Sequence, residues 1–283
     1  MKRLPNKGGY APVTDYFGRQ LSELSQFHDK SYHDIDMVNR LNEQEWRARG
    51  DLESNPQLMK SQPTWFISPK SPDNVRALYH LLEFDPLLDS SNMSAADWCK
   101  IGRVIRDEYD NFDAFIILHG TDTMAYSASA LSFMLENLGK TVIVTGSQIP
   151  ISQTRNDGFD NLLGALIIAM HYEIPEVCLF FNTKLFRGNR SSKVNSSSLK
   201  AFDSGNMAPL VTMGIDVNVN WALVRKLPTA PFRLREIQPD LCVACLKLFP
   251  GMTDDVLRNF LRPPMRGCIL LTYGAGNAPD SRK

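Results

Sequence analysis

Ala114-Phe115-Ile116-Ile117-Leu118-His119-Gly120-Thr121-Asp122-Thr123-Met124 passes from an unbroken apolar run, through small polar residues, into a helix-forming stretch. Five consecutive apolar residues suit a strand covered on both faces. The helix predicted next covers Met124 to about Asn137. Its spacing turns Ala128, Leu131, Met134 and Leu135 inward, and Gly139 is the expected stop. Thr141 to Thr145 reads as a second buried strand. A helix from Asp160 to about Tyr172 and a strand from Glu176 to Phe181 follow. Upstream, Ala77 to Phe84 reads as a strand stopped by Asp85-Pro86. Ser94, with Asp97 three residues on, opens a helix as a capping box. That helix carries Trp98, Ile101, Ile105 and Tyr109 on one face. Strand and helix alternate, which predicts an α/β fold: a mostly parallel sheet with right-handed crossovers and helices on both faces.

Outward from this core the pattern weakens. Residues 29–63 are rich in charged and amide side chains and poor in apolar ones, and read as a solvated polar insertion dispensable for folding. Residues 213–238, with prolines at 228 and 231, read as irregular strand and linker. A smaller βαβ unit comes last, with strands Cys242 to Phe249 and Cys268 to Tyr273 around a helix from Thr253 to Leu261. The expected domains are thus 1–212, a linker 213–238, and an incomplete 239–283. The chain opens in a loop-like stretch and stops just after a strand, as a two-domain α/β protein cut at both ends would.

The 283 residues hold 31 Lys+Arg and 31 Asp+Glu, a net charge of zero, with 43% apolar residues. Balanced charge argues against nucleic acid as a partner. No run of about 18 apolar residues marks a membrane span, and no apolar segment follows the basic start as a signal peptide requires. Five cysteines, an odd number in mostly apolar segments, suit reduced thiols in the cytoplasm. Cys242-x-x-Cys245 has no second pair, so buried core thiols are expected there, with no metal site. Gly139-Lys140-Thr141 lacks the preceding glycine of a phosphate loop. Gly274-Ala275-Gly276 lacks a third glycine and a helix, so no nucleotide or other cofactor is expected.

Ligands of open parallel sheets sit beyond the carboxyl ends of the strands. The residues there are Asp89-Ser90-Ser91-Asn92-Met93, His119-Gly120-Thr121-Asp122-Thr123, Gly146-Ser147-Gln148-Ile149-Pro150 and Arg187 to Lys193. Together they make a polar pocket for a small polar ligand, with a candidate nucleophile and bases. Gly120 lets the chain turn sharply and lets a ligand approach the backbone. Thr121 and Asp122 supply a hydroxyl and a carboxylate at a strand-to-helix junction; on pattern alone they read equally as an N-cap.

These stretches also carry a resemblance. Ile117-Leu-His-Gly-Thr-Asp-Thr-Met124, the loop at 89–93, Leu131-Ser-Phe-Met-Leu-Glu-Asn-Leu-Gly139, Thr145-Gly-Ser-Gln-Ile-Pro150, Leu185-Phe-Arg-Gly-Asn-Arg-Ser-Ser-Lys193 and Gly274-Ala-Gly-Asn277 together resemble the asparaginase/glutaminase family. They look most like its cytoplasmic type I branch and animal relatives. The resemblance implies hydrolysis of L-asparagine to L-aspartate and ammonia, without a cofactor, in a homo-oligomer. It implies two threonines. One attacks the amide carbon from a Thr-Gly-Gly-Thr-Ile-Gly loop that aligns ahead of Met1, helped by a tyrosine matching Tyr10. The other is Thr121, grouped with Asp122 and Lys193 as catalytic residues. Asp122 is expected to hold the substrate's α-amino group. The Ser91 amide and Ser90 hydroxyl are expected to take the α-carboxylate, with Asp89 and Gly120 in the same binding loops. Lys193 is the expected base for Thr121, and Asn277 is expected to reach a neighbouring subunit's site. The 283 residues by themselves are accordingly expected to turn over little asparagine. A catalytically silent, asparagine-binding or regulatory isoform is the alternative.

Overall fold

A computed structural model describes residues 2–3, 10–11, 13, 16–32, 37, 40, 64–238 and 242–280. The chain divides into two compact units, 1–236 and 237–283.

The first unit is built on three parallel strands: β3 (Ala114–Leu118), β4 (Thr141–Thr145) and β5 (Val177–Phe181). Ile116 lies opposite Ile143, and Ile143 opposite Cys178. Helix α3 (Met124–Met134) joins β3 to β4, and α4 (Gly158–His171) joins β4 to β5. Three antiparallel strands widen the sheet on the β5 side: β6 (Lys184–Arg187), β7 (Val211–Met213) and β8 (Val217–Val219), in the order β8-β7-β6-β5-β4-β3. The two central parallel strands are buried along their whole length. Ile143, Cys178 and Phe180 pack on Ala165 and Ile168 of α4. Val142, Val144 and Leu179 alternate to the other face and are equally buried. Each fully buried aliphatic or Phe side chain contributes about 1.5–3 kcal/mol. Gly164 lets α4 lie close on the sheet, since a Cβ there would sit 2.5 Å from Phe180 Cζ.

The capping box forms. The Ser94 N–H and hydroxyl both donate to Asp97, at 3.0 and 2.6 Å, at the start of α2 (Ala95–Asp107). On its inner face Ile101 and Ile105 are buried. The four inward residues expected of α3 and its end, Ala128, Leu131, Met134 and Leu135, are all buried.

Five expectations need correction. The strand read at Ala77 to Phe84 is shorter, β2 (Leu78–Leu81), and it does not join the parallel sheet. It pairs antiparallel with β1 (Thr64–Ile67), Phe66 against Tyr79. The hairpin packs Phe66 with Leu21, Phe27, Leu162 and Leu166, where α1 (Tyr16–Glu23) supplies Leu21. Helix α3 stops at Met134, not near Gly139, because Leu135–Glu136 leave it to pair with Arg233–Leu234. Asn137 then turns with φ +56°. The first domain does not end at 212: the segment read as irregular strand and linker holds β8, which extends the main sheet, and the first unit runs to Glu236. The polar insertion begins later than residue 29. The Asp29 N–H donates to the Ile67 carbonyl at 2.8 Å, and its carboxylate takes Arg76 at 2.7 Å. The Ser31 hydroxyl and Arg76 together hold that carboxyl near pKa 2. Most of residues 33–63 lie outside the described residues.

The last correction falls in the second unit. There β9 (Val243–Lys247) and β10 (Gly267–Leu271) pair in parallel, with α5 (Asp254–Phe260) between them in sequence. Cys242 and Cys245 are exposed, not buried core thiols. One short helix without a buried residue cannot cover two strands. Cys99 and Cys178 are buried and Cys268 exposed, and none of the described cysteines forms a disulfide.

Candidate active site

The carboxyl ends of β3 and β4 are locked together before any side chain of the site is placed. The His119 N–H donates to the Thr145 carbonyl at 2.8 Å. Gly146 follows, and a Cβ there would fall on the His119 carbonyl oxygen. Gly120 is fixed by the same logic: a Cβ on it would fall on Ser90 Oγ and lie 2.7 Å from Ser90 Cβ. Only glycine permits that approach. Thr123 completes the seam, its hydroxyl donating to the Ser90 carbonyl at 2.6 Å. The loop at 89–93 therefore lies directly against residues 120–123.

Within that loop, Ser90–Asn92 form one 3-10 turn capped by Asp89. The Asp89 carboxylate accepts the N–H and the hydroxyl of Ser91, both at 3.0 Å. Ser90 is buried, while Ser91 and Asp89 are exposed.

Lys193 comes from a short strand outside the main sheet. Ser192–Lys193 pair antiparallel with Phe202–Asp203. The Lys193 Nζ donates to Thr121 Oγ1 at 2.8 Å and to Asp122 Oδ1 at 2.9 Å. Its side chain is 21% exposed, whereas that of Asp122 is 66% exposed. One amine thus joins a hydroxyl and a carboxylate that lie 72 and 71 residues away in sequence. Nearby, the Asp157 carboxylate takes the N–H groups of Gln148 and Ile149, at 3.0 and 2.9 Å. Gln148 Nε2 reaches the Ser198 carbonyl at 3.2 Å.

The structure therefore brings together Ser90, Ser91, Asp89, Gly120, Thr121, Asp122 and Lys193. Asn277 belongs to the second unit, where its carbonyl accepts the Tyr273 N–H at 2.9 Å. Of Tyr10, only the backbone is described: Tyr10–Ala11 pair with Lys2–Arg3. Its side chain lies outside the described residues.

Three residues that sequence reasoning passed over support the site from beneath. His119 contacts the Gly120 carbonyl through Nδ1 at 2.7 Å and Ser127 Oγ through Nε2 at 2.8 Å. Trp98 Nε1 donates to the same hydroxyl at 2.8 Å. Burial lowers the His119 pKa, against the raising effect of the Gly120 carbonyl. A signal existed: Ser127 falls on the buried stripe of α3 beside Met124, Ala128 and Leu131. A hydroxyl there demands a partner.

Among the described residues no three His, Cys, Asp or Glu side chains gather as a metal site, and no helix is long and apolar enough to cross a membrane. An amine, a hydroxyl and an exposed carboxylate at strand ends are equipment for binding a small zwitterion and moving a proton.

An α/β protein with such a strand-end site is the class defined so far, and comparison with known proteins narrows it. The sequence pattern of the family described as "Asparaginase, N-terminal" matches residues 6–225. The chain belongs to the asparaginase family. It is 41% identical to an L-asparaginase of Dirofilaria immitis and 47% identical to L-asparaginase 1 of Escherichia coli, each over 97% of this chain. It is 43% identical to a human protein named 60 kDa lysophospholipase over 92% of this chain. It spans 43% of the Dirofilaria protein, 41% of the human one and 68% of the bacterial one. Among solved structures, L-asparaginase I of Vibrio cholerae superposes with a TM-score of 0.67 at 51% identity, covering 70% of this chain and 60% of that one. The L-asparaginase of Thermococcus kodakarensis gives 0.64 at 32% identity, covering 75% and 69%.

Proposed function

We propose that this chain carries the binding loops and the Thr121, Asp122 and Lys193 group of an amidohydrolase that converts L-asparagine to L-aspartate and ammonia through a threonine ester. One observation carries the reading: a single lysine amine bonded to both Thr121 and Asp122 at the carboxyl edge of the sheet. In the proposed complex the exposed Asp122 carboxylate receives the α-ammonium of asparagine, and the turn at Ser90–Asn92 receives its α-carboxylate. The side-chain amide then lies toward Thr121. A threonine hydroxyl adds to the amide carbon, the C–N bond breaks, and the departing nitrogen takes a proton to leave as ammonia. Water adds to the ester, and aspartate leaves as the threonine regains its proton. Lys193, whose Nζ lies 2.8 Å from Thr121 Oγ1, is the proposed base for Thr121. Family likeness and the resemblance of the 117–124 stretch support the chemistry; Tyr10 is proposed to assist the attacking threonine, and Asn277 to reach the site of a neighbouring subunit.

We also infer that the protein works in the cytoplasm as a homo-oligomer. Five cysteines outside any disulfide support the first point. Tyr126 and Phe133, exposed two turns apart on α3, support the second.

The test is ammonia release from asparagine. It is measured on the 283-residue chain and on the same chain carrying an upstream strand with Thr-Gly-Gly-Thr-Ile-Gly. Turnover that disappears in Thr121→Ala and in Lys193→Met is the expected result. Turnover indifferent to both substitutions refutes the assignment of these residues, and none in either form refutes the activity.

A further inference from the structure

The stretch 119–122 has a mechanical problem. Its pivot is a glycine, which the pressure of Ser90 makes compulsory. Glycine is the residue with the widest choice of backbone angles. Thr121, immediately after it, must nevertheless keep its hydroxyl 2.8 Å from Lys193. Some other group has to remove the freedom that Gly120 introduces.

The hydrogen bonds beneath the loop identify that group. They run in one chain from α2 through α3 to the loop: Trp98 Nε1 to Ser127 Oγ, Ser127 Oγ to His119 Nε2, His119 Nδ1 to the Gly120 carbonyl. The direction of each is fixed by chemistry. An indole nitrogen only donates and a carbonyl oxygen only accepts. Nδ1 must therefore carry a proton. In a neutral ring Nε2 is then an acceptor, and Ser127 gives it its one proton while a lone pair receives the indole N–H. Every polar atom in the chain is matched, and only one protonation state matches them all. The opposite tautomer sets a nitrogen lone pair against the Gly120 oxygen at 2.7 Å. A second proton on the ring leaves the fully buried Ser127 hydroxyl without its acceptor. Burial favours the neutral ring in the same sense.

We propose that His119 is a positioning residue. As the Nδ1–H tautomer selected by Ser127 and Trp98, it clamps the Gly120 carbonyl and thereby aims Thr121 at Lys193. His119 touches neither the amine nor the carboxylate of the site; it acts through the peptide plane. The inference rests on the asparaginase reading for its kinetic consequence, but the clamp itself does not.

The experiment has two arms. In the first, protein labelled with ¹⁵N-histidine is examined by long-range ¹⁵N–¹H correlation at pH 7. The clamp requires His119 as the neutral Nδ1–H form; an Nε2–H or doubly protonated ring overturns it. In the second arm, His119→Asn and His119→Gln are compared in the form that turns over asparagine. An Asn amide occupies the Nδ1 position and keeps a donor for the Gly120 carbonyl, whereas Gln reaches toward Ser127 only. The expected loss in Gln is roughly 10- to 100-fold in kcat with KM little changed, as for a reactive group displaced by a fraction of an ångström. Asn recovers most of it. Equal losses in both variants, or a loss confined to KM, overturn the proposal. If His119→Gln does not fold, Trp98→Phe removes the outermost donor alone and must lower kcat by a smaller factor; an unchanged kcat overturns the proposal. An inert wild type sinks the assigned function, while the first arm still decides the clamp.

Discussion

The two ends of the parallel strands both hold a basic side chain against a carboxylate, and they use the pair oppositely. At the amino end of β5, the Glu176 side chain is 3% exposed and that of Arg187 is 18% exposed. Glu176 is paired with Arg187 Nε, accepts Arg187 Nη2 at 2.9 Å and takes the Arg225 N–H at 2.8 Å. Arg187 also donates to the Leu223 carbonyl at 2.7 Å. Its charges are spent on holding three segments together. At the carboxyl end, Lys193 is engaged but two-thirds of the Asp122 side chain faces solvent. Charge that is fully bonded and largely buried serves architecture; charge that is bonded on one side and open on the other is available to a ligand. Burial and partner number separate the two roles where residue type does not.

The comparison can be broken by exchanging which property each pair controls. The largest effect is expected at the carboxyl end: Thr121→Ala and Lys193→Met should each lower asparagine turnover on the order of 10³-fold or more. Their unfolding free energies should stay within about 1 kcal/mol of the parent, because an exposed pair contributes little to stability. Glu176→Gln should reverse this pattern. It leaves Arg187 buried without a countercharge and should cost about 3–5 kcal/mol in urea unfolding, with turnover of the folded fraction nearly unchanged. A stable Glu176→Gln protein with impaired turnover would end the division of labour between the two ends.

Gly120→Ala sharpens the same contrast from the backbone side. Its new methyl group meets Ser90, so stability should fall by about 1–3 kcal/mol, and asparagine binding by calorimetry should weaken with it. The smallest effect is a slope with pH. The folded pKa of His119 lies below its ordinary 6.5. The unfolded chain therefore takes up a proton first as pH falls. Stability should be full above about pH 6.5 and decline from there toward the lower folded value, by at most ~1.4 kcal/mol per pH unit for one proton. His119→Asn should flatten that part of the curve.

Local signals were legible where local forces decide. Apolar runs at 114–118, 141–145 and 177–181 marked the parallel strands; the latter two are buried along their whole length, while 114–118, at the sheet edge, is only partly covered. Ser94 and Asp97 marked a helix start because a cap is a four-residue event. The loops of the candidate site were legible because strand ends and small polar residues coincide there. What stayed hidden depends on distant partners. Strand Leu78–Leu81 had the right composition, but composition does not name its neighbour, and Thr64–Ile67 stood next to a polar stretch that masked it. Leu135–Glu136 looked helical until Arg233–Leu234 offered them a ladder. Cys242 and Cys245 lie in an apolar run, yet a two-stranded sheet leaves such a run open. Trp98, His119 and Ser127 come from three elements and carry no joint spacing.

The turn at Ser90–Asn92 carries its own stand-in. An amide N–H gives one strong bond, and that of Ser91 already gives it to the carboxylate of Asp89. A carboxylate arriving from outside at this amide does not fill a gap; it trades places with one the loop supplies. In the proposed complex the affinity expected there is then a difference between two nearly equivalent anions, small in itself whatever the strength of either contact. Discrimination falls to the remainder of the newcomer, which must bring something that Asp89 lacks.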